Sequence, residues 1–356
     1  SATGHRLFRG WTEIWGFTDE TRGVPLYRGH IEAFQIINDP SDANYGMLRT
    51  SELWDAGTIL ASRKAIHSGT NSQEYTDTSP STYTRTLWTN DVQGGVYTPT
   101  SLVPFDSTNS EDMGELMFDD YDTDYVNSPP TVDETCDTSA GPFPFNDFAR
   151  DCDVDYHDAQ EVIDFLRGVD TTTYGVGEDM VADGTEVGTD WPEKGPWKLG
   201  GMFLGQPAYA DATPSIVTDD PAFYSFLNQI DDLDPALYVV ANDGFLHAFK
   251  VPFLDSDDDG WEDATEDDAG GWELWGYIPR HLLDHDADYH DEMHRAINLM
   301  MDGELYLNDG SINLTYVWMD GEPNYVSASC GTATNDGIPD SDGCEYHRVL
   351  VVSMGL

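Results

Sequence analysis

Short apolar runs broken by turn residues dominate the hydrophobic pattern of the chain. "ALYVVAND" (236–243) is one such run, and "GFLHAFKV" follows at once with apolar and polar positions interleaved. Alternation of this kind suits a pleated strand with one buried face. The junction Asn242-Asp243-Gly244 tolerates the positive φ of a tight connection, so the two runs predict a β-hairpin. "GWELWGYIP" (271–279) reads as a third strand and "HRVLVVSMGL" (347–356) as a strand at the end of the chain. Long amphipathic helices are scarce, and "DAQEVIDFLRG" (158–168) carries the best helical spacing.

An internal repeat organises these runs. "GHIEAF" (29–34) is followed by "ELW" at 52–54, and "GFLHAF" (244–249) is followed by "ELW" at 273–275. The gap from Phe to Glu is 18 residues in the first copy and 24 in the second. The longer gap holds "DSDDDGWEDATE" (255–266), which therefore reads as a loop inserted between two strands. Irregular stretches lie elsewhere: 106–147 as an acidic insertion, 170–195, and 328–345. Short strands, turn punctuation and a recurring Gly/aromatic motif point to an all-β chain and, within that class, to a β-propeller over 1–356.

Charge sharpens the picture. The 356 residues carry a formal net charge of −51. Residues 1–100 hold 11 acids against 8 bases, and 101–356 hold 56 against 8, so the excess is concentrated rather than spread. Concentration favours acidic loops on an ordinary scaffold over general adaptation to salt. Nucleic acid and anionic membranes both need a basic footprint, so neither is an expected partner. No run approaches the ~18 apolar residues of a spanning helix. The first ten residues lack the pattern of a signal peptide and an initiator Met, as in a mature or clipped product.

The acidic dodecad packs seven carboxylates into twelve residues, an arrangement that repels itself without a cation. Calcium takes six to eight oxygens, and an EF-type loop supplies them from positions 1, 3, 5, 7, 9 and 12 with Gly at 6. Counted from Asp255, those positions are Asp255, Asp257, Asp259, the carbonyl of Trp261, Asp263 and Glu266, with Gly260 at the turn. Every slot is filled. Strands rather than helices flank the loop, which predicts a calcium site grafted onto a β-hairpin. Magnesium, which prefers strict octahedral geometry with several waters, suits it less well.

Four cysteines, Cys136, Cys152, Cys330 and Cys344, form no CxxC. Three pairings are open to them. Proximity favours Cys136–Cys152 and Cys330–Cys344, with four unpaired buried thiols as the alternative. Disulfides would imply an oxidising, extracytoplasmic setting. "HDEMH" puts His290 and His294 four apart, but Asp291 stands where a zincin needs Glu, so it reads as polar surface. No nucleophile elbow, phosphate loop or dinucleotide fingerprint occurs.

"LYVVANDGFLHAFK", "GWELWGYIPRHLL" and "RVLVVSMGL", in this order, resemble the C-terminal propeller of the PilY family of type IV pilus proteins. "YRGHIEAF", "LWDAG", "DFLRG" and "WKLGGMFLGQPAY" also fall in the family's order, so the resemblance covers nearly the whole chain. It implies a quinoprotein-like, modified seven-bladed β-propeller and a non-enzymatic, calcium-binding role at the pilus tip. That role comprises pilus assembly, control of retraction and surface adhesion, outside the cell after passage through the periplasm. Type IV pilin subunits or minor pilins would be its partners. Of the loop residues, Asp255, Asp257, Asp259 and Asp263 match the family's calcium loop, while Glu266 rests on the loop spacing alone. Departures exist: Lys198-Leu199-Gly200-Gly201-Met202 lacks an acid that the family carries, and the usual N-terminal adhesion module is absent. The chain also stops where the family continues, so closure is expected to need strands from another chain or a continuation. Two other readings stay open. One is a quinoprotein-type dehydrogenase; the other is a calcium-dependent surface adhesin unrelated to pili.

Overall fold

A computed structural model describes residues 6–15, 26–37, 39–62, 85–93, 96–106, 109–117, 159, 162–163, 166–168, 198–203, 205–210, 220–230, 235–251, 270–284, 310–320 and 344–353. Over these residues the chain is mostly β-sheet with few helices, as the short alternating runs predict. No described helix is long and apolar enough to cross a membrane.

Three sheets are present among the described residues. In the first, β1 (Arg6–Trp15), β2 (Leu26–Gln35) and β3 (Trp54–Asp55) run antiparallel in that order. A short helix, α1 (Ala56–Ser62), follows β3. The second sheet contains β4 (Leu87–Gln93), β5 (Val96–Pro104), β6 (Ala208–Ala210), β7 (Ala236–Val240), β8 (Leu246–Lys250) and β9 (Glu273–Tyr277). Its order is β5-β4-β9-β8-β7-β6, antiparallel except where β4 meets β9 in parallel. The third is a hairpin of β10 (Ile312–Asp320) and β11 (Cys344–Val352). A closed ring of sheets is not seen among the described residues.

The repeat is a structural repeat. Ala33 pairs with Trp54 across β2 and β3, and Ala248 pairs with Trp275 across β8 and β9. Each copy also has an antiparallel strand on its other side, with Phe8 opposite Ala33 and Tyr238 opposite Ala248. A residue without bulk beyond Cβ leaves room for the indole opposite it, which fixes one register for both copies. The two sheets share one core, in which Ile31, Ala33 and Trp54 cluster with Leu237, Val239 and Phe249 around Leu199 and Met202. Fully burying a side chain of the Leu or Phe class stabilises by about 1.5–3 kcal/mol, so this shared layer joins the sheets.

The hairpin predicted at 236–250 is present, but β7 stops at Val240 and residues 241–244 make the turn. Gly244 N–H donates to the Ala241 carbonyl at 3.1 Å. The terminal strand begins earlier than its apolar run, at Cys344, and ends at Val352. In the 158–168 stretch, Ala159, Val162, Ile163, Leu166 and Arg167 are helical and buried, the i, i+3, i+4, i+7 stripe of one helix face. The 106–147 stretch is not irregular at its start. Helix α2 (Ser110–Met117) buries Met113, Leu116 and Met117, whose helical spacing lies within an otherwise acidic, polar sequence. Helix α3 (Pro221–Ile230) docks on the β10–β11 hairpin through Phe223, whose ring lies 5.5 Å from Tyr316 and 4.9 Å from Tyr346. Asp220 caps that helix: its Oδ1 accepts from Ala222 N–H at 2.9 Å and its Oδ2 from Tyr346 O–H at 2.6 Å.

Candidate functional site

The acidic loop springs from paired strands. The described chain breaks off at Val251, one residue past β8, and resumes at Gly270, ahead of β9. The base of the loop is closed by backbone bonds: Lys250 N–H donates to the Trp272 carbonyl at 2.7 Å, and Gly271 N–H to the Lys250 carbonyl at 2.9 Å. Val251 N–H donates to the Pro235 carbonyl at 2.9 Å, tying the exit of the loop to the start of β7. Gly271 holds a φ of 76°, and a Cβ there would come within 2.8 Å of the Trp54 ring. The return strand can therefore approach the first sheet only as glycine. The proposed ligands Asp255, Asp257, Asp259, Trp261, Asp263 and Glu266 lie outside the described residues, as do Cys136, Cys152, Cys330, His290 and His294. Cys344 is the first residue of β11, opposite Asp320.

The strand pair that flanks the acidic loop carries a buried ionic cluster. Asp243, in the β7–β8 turn, accepts N–H bonds from Gly200 at 2.9 Å and Phe245 at 3.0 Å. Both its oxygens lie 3.2 Å from His247 Nε2. On the other side of the imidazole, Nδ1 lies 2.8 Å from Glu273 Oε1, across β8 and β9. Arg85, just before β4, then grips Glu273 with two parallel bonds, Nε to Oε2 at 2.8 Å and Nη2 to Oε1 at 2.9 Å. Its Nη1 donates to the Arg167 carbonyl at 2.7 Å, and Arg167 in turn donates to the Phe105 carbonyl. The side chains of Arg85, His247 and Glu273 are 0% exposed and that of Asp243 is 1% exposed. The rings of Phe245 and Phe249 flank the imidazole at 5.8 and 5.6 Å.

Both ring nitrogens of His247 face carboxylate oxygens, which accept when ionised, so the geometry favours an imidazolium that with Arg85 balances the two carboxylates. Burial by itself pushes the Glu273 carboxyl up, but the charge and paired bonds of Arg85, then His247, hold it well below the usual range. Burial likewise disfavours a charged His247, yet Asp243 and then Glu273 outweigh it and raise its pKa. Arg85 is driven the same way: desolvation opposes its charge, and Glu273 followed by Asp243 more than restores it. The site is thus occupied by its own counter-charges. Among the described residues no group of three or more His, Cys, Asp and Glu is arranged to hold a metal ion.

The tertiary structure around the cluster depends on close backbone contact. A Cβ on Gly200 would meet the Asp243 nitrogen at 2.3 Å, so the 198–202 segment passes the turn only because that residue is glycine. The first copy of the repeat carries different chemistry at the matching position. Where the second copy has His247, the first has Glu32, which accepts from Arg9 Nε at 2.7 Å across β1 and β2. In the sequence, Asp243 reads as a turn residue and Glu273 as part of the repeat. The legible signal was a His inside the apolar run "FLHAF" and a Glu opening an otherwise apolar strand. Nothing local marks Arg85.

Compared with protein-family models, curated proteins and solved structures, the chain matches none.

Proposed function

We propose that this chain is a non-enzymatic, calcium-binding component of type IV pili. It acts at the pilus tip in assembly, retraction control and surface adhesion, outside the cell. One observation carries the reading: a twelve-residue series with an oxygen donor at every EF position lies between two strands pinned together at its base. Hard, numerous oxygen ligands at EF spacing suit calcium, and strands on both sides suit a site that stiffens a surface rather than one that opens a helix pair. Support for a propeller comes from the two repeat copies, which share a register and pack through one core, as neighbouring blades do. The ordered PilY-like blocks support the link to pili, with pilin subunits or minor pilins as partners. The cysteines fit local disulfides, Cys136–Cys152 and Cys330–Cys344, in that oxidising setting.

The test is calcium titration of the wild-type chain and of Asp257→Ala, followed by imaging of native pili with a label on this chain. Saturable binding weakened by the substitution, with label at filament tips, is the expected result. Equal affinity in the two proteins removes the calcium site. Label away from filaments removes the pilus role.

A further inference from the structure

We propose that the Asp243–His247–Glu273–Arg85 cluster sets the calcium affinity of the 255–266 loop by clamping the strand pair from which it springs. The inference rests on reading that loop as a calcium site, and concerns what tunes it. Nine carboxylates lie between Val251 and Gly270. Their mutual repulsion acts to splay β8 from β9, which are five residues each and whose register shifts between Ala248 and Phe249. Against this stand the two backbone bonds at the loop base and the side-chain link from His247 to Glu273 at 2.8 Å. Each end of that link is anchored further. Asp243 ties His247 to the turn at the far end of the hairpin, and Arg85 ties Glu273 to the approach to β4. A loop whose ends are already held loses less conformational freedom on gathering its oxygens around an ion.

The charge balance of the cluster gives the idea a sharp signature. Glu273→Gln makes the cluster more positive and His247→Gln makes it more negative. If the cluster acted on calcium through its field alone, the first change would weaken binding and the second would strengthen it. A clamp requires both to weaken it.

Calorimetric titration of the full chain with calcium chloride, for wild type, E273Q and H247Q, tests this. Tyr346→Phe, at the contact between α3 and the β10–β11 hairpin, controls for loss of stability elsewhere. Each cluster variant should bind at least severalfold more weakly, because its loop ends are no longer held together before binding, while Y346F keeps wild-type affinity. Unchanged affinity in a folded E273Q or H247Q, or changes of opposite sign, overturns the clamp while leaving the loop reading intact. A wild type that takes up no calcium overturns both. Should the variants fail to fold, hydrogen exchange on the wild type decides. Calcium should slow exchange at His247 and Glu273 as well as in the loop, and slowing confined to 252–269 rejects the clamp.

Discussion

His247 and Glu273 face each other across β8 and β9 at 2.8 Å with neither side chain exposed to solvent, and Arg85 holds the far side of the carboxylate. Removing one member of a buried ionic cluster strands the others in a low-dielectric interior. Glu273→Ala is therefore expected to destabilise the chain by about 3–5 kcal/mol. Denaturant unfolding measures it. Replacing Arg85 and Glu273 together with apolar residues should cost less than the two single changes added. Additive losses would show that the pair is not coupled.

The same cluster gives stability a direction in pH. His247 is raised in the folded chain, so its contribution is complete below about 6.5, the ordinary His value, and is lost as pH rises through the folded value. Glu273 is depressed, so its contribution is present above about 4.3 and is lost as pH falls through the folded value. Stability from the cluster should accordingly be greatest between about pH 4.3 and 6.5. Unfolding of wild type and His247→Gln across pH 6 to 10 isolates the alkaline limb. That limb should flatten in the variant, and identical slopes would show that His247 does not produce it.

Gly200 is held against the Asp243 backbone, where no side chain can give way. Gly200→Ala should destabilise by at least the roughly 1–3 kcal/mol typical of overpacking. It should also push Asp243 off His247, which would appear as a lowered His247 pKa in imidazole NMR titration. A silent substitution would mean that the 198–202 segment yields freely.

Phe223 is 3% exposed and joins α3 to the third sheet through Tyr316 and Tyr346. Phe223→Ala should remove about 3–5 kcal/mol from that contact. Amide exchange in β10 and β11 should rise more than in β7 and β8. A uniform rise over all strands would indicate instead that the sheets unfold as one unit.

Calcium bound only by the folded chain raises its stability by mass action, about 2.7 kcal/mol at one hundred times the dissociation constant. Thermal unfolding with calcium and with a chelator should differ accordingly. Asp257→Ala should abolish most of the difference. A melting temperature indifferent to calcium would argue against the loop as a folded-state site.

Period-two alternation and turn chemistry made several elements of the second sheet readable, because those signals are local. The Asn-Asp-Gly turn gives the β7–β8 hairpin, and the strand after "GGW" is β9. β10 is less legible, although "INLTYVWMD" alternates, and α2 is hidden because its three buried apolar residues sit in a strongly acidic surrounding. The parallel contact between β4 and β9 has no local signature either. Leu87 and Gly276 meet there from positions far apart in the chain.

The sequence by itself determined the repeat, the spacing of oxygen donors in the acidic loop and the place of that loop between two strands. Each of these is a relation among near neighbours, written in residue type and interval. Only the tertiary structure decided that Arg85, Asp243, His247 and Glu273 form one buried, charge-compensated cluster. Charge compensation inside a core depends on distance in space, and 188 residues separate Arg85 from the carboxylate that it grips.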